Sequence, residues 1–139
     1  MVAHGPPFRL LPRLDDDNRF FWTSGADGTL RFLRCQSCES FIHPPAPRCP
    51  YCLAEYLRPE PVSGLGTVSS FTVNIQQWIP GSEPYIIAWV TIAEQDDVRL
   101  TTNLVNCAPD IACVGMRVTV AFVHRHDVWY PVFMPTDAV

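Results

Sequence analysis

Four cysteines fall in two pairs, Cys35-Gln-Ser-Cys38 and Cys49-Pro-Tyr-Cys52, with ten residues (39 to 48) between the pairs. A Cys-x-x-Cys turn is tight enough to aim both sulfurs at one point, and two such knuckles supply four ligands to a tetrahedral metal. Four soft thiolates, with no imidazole or carboxylate in the set, favour zinc in a closed structural site that leaves no position for water or substrate. Such a site does no Lewis-acid chemistry. The segment has few apolar residues, so the metal is expected to be its core; structural zinc is worth about 10–16 kcal/mol in peptides of this kind.

Two rivals rank below zinc. A rubredoxin-type iron centre uses the same sulfurs, but its knuckles usually carry Gly just after the second Cys, where this chain has Glu39 and Leu53. Disulfides need an oxidising compartment, and the start Met1-Val-Ala-His-Gly-Pro-Pro7 has no apolar run of the signal-peptide kind, so a reducing, cytoplasmic setting is expected.

Other chemistry is thin. The sequence contains no Gly-rich phosphate loop, no Gly-x-Ser-x-Gly elbow and no metalloprotease or kinase signature. The cluster His124-Arg125-His126-Asp127 falls where a hairpin must turn and reads as solvated charge rather than acid–base machinery. His43 lies near the cysteines, yet four thiolates already fill the coordination shell; it reads as a neighbour of the site or a surface residue. Cys107 and Cys113 lack a Cys-x-x-Cys partner and read as small buried hydrophobes.

Composition narrows the classes further. The 139 residues are 47% hydrophobic and 12% aromatic, enough for a core, with no run near the ~20 apolar residues of a membrane span. All ten basic residues are Arg, so no side-chain amine is present for a Schiff base. A net charge of −4 is poor electrostatics for a phosphate-backbone binder. Fourteen Pro against seven Gly imply stiff connections.

The elements that must position the cysteines come in three blocks. Residues 1–28 form an extended Pro-rich arm and a short helix, opened by Asp15-Asp-Asp17 and ended by Gly25 and Gly28. Its aromatics Phe20, Phe21 and Trp22 point round more than one face, so they either pack on their own domain or anchor another chain. Residues 29–60 form a zinc ribbon, with Leu30 to Arg34 a strand into the first knuckle and Arg58-Pro-Glu-Pro61 a linker. Residues 61–139 read as strand after strand: Thr67 to Ile75, with Phe71, Val73 and Ile75 on one face; Tyr85 to Ile92, nearly continuous and central; Val98 to Val105; Arg117 to Val123; and Val128 to Phe133. Five antiparallel strands, with a short helix or turn around Pro109 to Gly115, give the OB-fold order and an all-β class. OB-folds suggest single-stranded nucleic acid, but Arg99 and Arg117 are the only cations between Gly64 and Phe122, too few for a basic groove.

Together these residues resemble a known family. Phe20-Phe-Trp22, Gly28-x-Leu30, Arg34-Cys-x-x-Cys38, His43-Pro-Pro-x-Pro47-x-Cys-Pro-x-Cys52, Val62-Ser-Gly64-x-Gly66-Thr-Val68, Leu100-Thr-Thr-Asn103-Leu-Val105 and Gly115-Met-x-Val118 are similar to the OB-fold proteins with a rubredoxin-like zinc ribbon. These are also known as domain of unknown function thirty-five, or acyl-CoA-associated proteins. The resemblance runs from about Leu14 to about Pro135. It implies zinc on Cys35, Cys38, Cys49 and Cys52, no catalytic residue in this chain, and a role as non-catalytic partner of a thiolase-superfamily enzyme acting on acyl-CoA thioesters. The branch it implies is a lipid-transfer-protein-like retro-aldolase of steroid side-chain degradation, a carbon–carbon lyase, in a two-plus-two hetero-oligomer. A thiolase, acyltransferase or acyl-CoA hydratase partner is the alternative. Acyl-CoA could lie at the shared interface, Phe20, Phe21 and Trp22 are interface candidates, and no nucleic acid or membrane is implied.

Overall fold

The computed structural model describes residues 9–136, so the first part of the expected arm, 1–8, lies outside the described residues. The Asp run shapes a turn rather than the helix itself: Asp15 Oδ1 accepts the N–H groups of Asp17 and Asn18 at 2.9 Å each, and α1 spans Arg19–Thr23. The Asp15 carboxylate satisfies the turn's donors before the helix starts. A single 3-10 turn, Ser24–Asp27, continues from α1 and is closed by Gly28 at φ 80°. Gly25, expected as a terminator, is instead buried inside that turn, where a Cβ would come within 2.6 Å of Phe122 Cγ and Trp129 Cβ. Its small size lets the turn lie flat on the barrel.

The ribbon is a three-stranded antiparallel sheet in the order β2-β1-β3, with β1 Arg31–Cys35, β2 Phe41–Ile42 and β3 Leu57–Pro61. The expected linker Arg58–Pro61 is therefore a strand, in register from Arg31↔Pro61 to Cys35↔Leu57. Proline misleads here because β3 is an edge, where a missing N–H costs no ladder bond.

Five strands close a barrel: β4 Leu65–Asn74, β5 Tyr85–Ile92, β6 Arg99–Leu104, β7 Arg117–Arg125 and β8 Val128–Pro135, in the order β4-β5-β6-β8-β7. The all-β, five-stranded OB expectation holds. One contact departs from the antiparallel expectation, since β6 meets β8 in parallel at Leu104↔Phe133. Closing a five-stranded Greek-key sheet joins two strands that run the same way.

Strand β4 departs from simple alternation. Gly66 and Val68 face inward, then a bulge between Val68 and Ser70 adds a residue, after which Phe71 and Val73 turn toward the core. An inserted residue flips every later side chain. Ile75, expected to share a face with Phe71 and Val73, lies past the strand end and is exposed. Strand β5 is central as expected, paired to β4 on one side and β6 on the other; Ile86, Ala88, Val90 and Ile92 are buried while Trp89 faces out. Between β6 and β7 the chain makes turns only, with no helix; Cys107 is half-buried and Cys113 exposed, correcting the buried reading of that pair. This turn segment lies over the barrel surface.

One core joins the three segments. Phe21 from α1, Leu30, Phe32 and Phe41 from the ribbon, and Val68, Ile86, Val90, Val118 and Phe133 from the barrel form a single buried cluster. The side-chain amide of Gln95, in the β5–β6 turn, adds a polar clamp: its Oε1 accepts the Phe41 N–H at 2.7 Å and its Nε2 donates to the Phe41 carbonyl at 3.0 Å. Beside it the Tyr51 hydroxyl, on the second knuckle, donates to Asp97.

Candidate metal centre

The four cysteine sulfurs come together. All lie within 4.8 Å of one another, with Cys35 Sγ 3.6 Å from Cys52 Sγ and Cys38 Sγ 3.5 Å from Cys49 Sγ. Tetrahedral Zn–S bonds of ~2.3 Å place sulfurs about 3.8 Å apart, so the cage fits the ion. Each knuckle folds through an N–H returned to its first Cys carbonyl, Glu39 to Cys35 at 3.0 Å and Leu53 to Cys49 at 2.9 Å. Backbone N–H groups also converge on sulfur: Ser37 and Cys38 on Cys35, and Tyr51 on Cys49. Donors of this kind orient a thiolate and stabilise its charge.

Electrostatics call for a cation at the same point. The Cys38 and Ser37 N–H groups hold the Cys35 thiol below its ordinary value, and the Ser40 hydroxyl and N–H bring Cys38 to about 6. The Ala54 N–H pulls Cys52 down, but burial and the neighbouring thiols outweigh it and push that residue to about 11. Four thiols this close cannot all ionise without a cation between them, and a dication resolves the conflict.

Missing glycines do not exclude an iron knuckle. Glu39 and Leu53 adopt the left-handed conformation themselves, at φ 67° and 66°, so the knuckle forms without glycine and residue type there does not separate iron from zinc. Left-handed backbone costs a residue with a Cβ about 1–2 kcal/mol. Leu53 is exposed, so Leu53→Gly is expected to leave thermal stability unchanged or raise it, offsetting glycine's extra chain entropy. Leu53→Val should lower it; paired melting curves check both.

His43 is not a ligand. It sits between the rings of Phe21 and Phe32, at centroid distances of 4.9 and 5.0 Å, and burial lowers its pKa from 6.5 to about 4. Between those values the unfolded chain binds a proton that the folded chain refuses. Stability therefore falls as pH drops from 6.5 toward 4, by at most about 1.4 kcal/mol per pH unit. Denaturant titrations of wild type and His43→Phe at several pH values check this, since acid release of metal affects both and only the wild type carries the added slope.

The helix aromatics split. Phe21 is 4% exposed and packs on Trp22, Phe32 and His43, so it belongs to this chain's core and is corrected as an exposed anchor. A five-residue helix lying on the barrel must put one aromatic inside. Phe20 and Trp22 are half-buried, with Trp22 edge-on to Tyr130 at 5.8 Å. His124 stacks on Trp129 at 4.0 Å and its Nε2 meets the His126 backbone carbonyl at 2.8 Å, so the His124 ring holds the β7–β8 hairpin turn.

With this geometry established, two family models match the chain. Residues 22–57 match the ChsH2 rubredoxin-like zinc ribbon domain and residues 59–123 the ChsH2 C-terminal OB-fold domain. A solved chain of the Ltp2-ChsH2(DUF35) aldolase is 33% identical with a TM-score of 0.82, covering 91% of this chain and all of that one. The chain belongs to the ChsH2 family. Its ribbon is accordingly a structural zinc site of the rubredoxin-like type, with the four clustered cysteines as donors. The ChsH2 fold also recurs inside longer proteins: a probable enoyl-CoA hydratase alpha subunit of Thermomonospora curvata is 34% identical over 129 residues, 91% of this chain. The 3-oxo-4,17-pregnadiene-20-carboxyl-CoA hydratase alpha subunit of Mycobacterium tuberculosis is 30% identical over 123 residues, 88% of this chain. The chain spans about two fifths of each, 40% and 39% of their lengths. Among the described residues no helix is long and apolar enough to cross a membrane.

Proposed function

We propose that this chain is a non-catalytic scaffold subunit of an enzyme complex acting on acyl-CoA thioesters. Its partner in this reading is a lipid-transfer-protein-like retro-aldolase of the thiolase superfamily, working on a steroid side chain in a two-plus-two assembly. The observation that carries the reading is the match, over the whole length of the other chain, to a subunit of an Ltp2-ChsH2 aldolase.

The site chemistry supports a scaffold. The four clustered thiols converge on a metal position, His43 is locked between aromatic rings, and His124 is stacked on Trp129. These potential nucleophiles and bases are committed to holding structure. A hydratase partner is the second reading, favoured by the two hydratase alpha subunits that contain a related segment.

Affinity purification from the native host at moderate salt, with mass spectrometry of what is retained, tests the proposal. The expected result is a stoichiometric thiolase-superfamily protein, with carbon–carbon cleavage of a steroid acyl-CoA by the pair and none by this chain alone. A co-purifying hydratase would move the assignment to the second reading. Turnover by the isolated chain, or recovery of nucleic acid in place of an enzyme, would overturn it.

A further inference from the structure

A cleft of about 340 Å³ lies between the arm at Arg9, α1, and strands β5, β6 and β8. Trp22, Tyr85 and Tyr130 supply aromatic walls, with Ile87 and Leu100 adding apolar surface, and no carboxylate among the described residues lines it. Arg9 is the one cation in this lining. Its guanidinium lies over the Tyr130 ring at 5.2 Å, and its Nη2 is shut off from solvent with no hydrogen-bond partner among the described residues. Tyr130 also fixes the arm that carries Arg9, since its hydroxyl donates to the Leu10 carbonyl at 2.8 Å. One side chain thus positions the cation twice, through its ring and through its hydroxyl.

A buried guanidinium N–H without an acceptor is costly, because ring contact does not replace the hydrogen bonds that water would accept. Burial accordingly lowers the Arg9 pKa from its usual value, with Tyr130 opposing. An anion in the cleft would offset that cost through the charge of the guanidinium that lines it. A single cation matches a single negative charge, and a planar carboxylate fits the guanidinium fork; a phosphate monoester would bring closer to two charges. Volume and lining suit a small ligand with an apolar body.

We propose that this cleft binds a small organic monocarboxylate, its carboxylate on the Arg9 guanidinium and its apolar body against Trp22, Tyr85 and Tyr130. The proposal is independent of the scaffold assignment and concerns the isolated chain.

Titration of the zinc-loaded chain with 3-phenylpropionate, followed by NMR shifts of the Trp22 indole N–H, tests it. Saturable binding is expected, with the neutral isostere 3-phenylpropionamide about 10- to 100-fold weaker, as a charge-assisted hydrogen bond implies. Arg9→Met keeps the apolar stem and removes the charge. It should abolish the preference for acid over amide while leaving the melting temperature unchanged or higher, because a buried N–H group without an acceptor is gone. Equal binding of acid and amide, acid binding retained by Arg9→Met, no saturable shift, or shifts that map away from Trp22 would each overturn the proposal. None of these outcomes depends on whether a partner enzyme is found.

Discussion

Replacing Cys35 or Cys49 by Ser, or stripping the metal with a chelator, is expected to unfold the ribbon and to loosen the barrel with it. Both sulfur positions are wholly buried, and each anchors one knuckle through its own carbonyl and the N–H groups that return to it. Apparent structural-zinc binding energies of about 10–16 kcal/mol exceed the whole stability of many small domains. The ribbon contributes too little apolar surface of its own to survive that loss. The damage should spread because Phe32 and Phe41, which the ribbon holds in place, belong to the same core as Val90 and Phe133. Metal content by atomic emission and amide dispersion by NMR check this together: loss of the β1, β2 and β3 resonances with weakened barrel protection is expected. A metal-free chain with intact ribbon resonances would show that protein contacts alone support the fold. Acid should mimic the chelator, since protons compete with the metal for the thiolates.

Phe21→Ala is expected to cost the free chain about 3–5 kcal/mol, the range for truncating a fully packed aromatic. Its ring fills the space between Trp22, Phe32 and His43 and bridges α1 to the ribbon. Trp22→Ala, at a half-buried position, should cost less, roughly 1–2 kcal/mol from its lost apolar contact area. The functional contrast runs the other way. If the aromatic helix meets a partner, the loss of affinity that survives correction for stability belongs to Trp22 and Phe20, not to Phe21. Chemical denaturation of the free variants beside affinity measurements with the purified partner separates the two effects. A Phe21 variant of wild-type stability would place that ring outside the core. Equal partner affinity for Trp22→Ala and wild type would remove α1 from the interface.

Some of this was legible because it depends on local spacing. A Cys-x-x-Cys pair closes its own turn whatever surrounds it, so the four donors could be read from the chain, and the tertiary fold only had to bring two turns together. Strand β5 was readable residue by residue, from Tyr85 to Ile92, since β-branched and aromatic side chains occupy every position but Ala88. Where local cues compete with a partner element, the reading fails. Pro59 and Pro61 signal a break, yet their strand needs only one neighbour and has it in β1. Gly25 signals a stop, yet the barrel requires its lack of a side chain. Glu39 and Leu53 carry no glycine signal, yet the knuckle forces them into left-handed backbone.

By itself, then, the order of residues determined the metal-binding chemistry, the five barrel strands and the poverty of cations that argues against nucleic acid, because spacing, alternation and charge are properties of the chain. The folded structure was needed to settle which aromatic of Phe20-Phe21-Trp22 is buried, where the bulge after Val68 reverses the faces of β4, and that Arg9 is carried onto Tyr130 with its Nη2 lacking an acceptor among the described residues. Those outcomes depend on contacts between residues as far apart as Leu10 and Tyr130, and packing at such separation leaves no periodicity in the sequence to read.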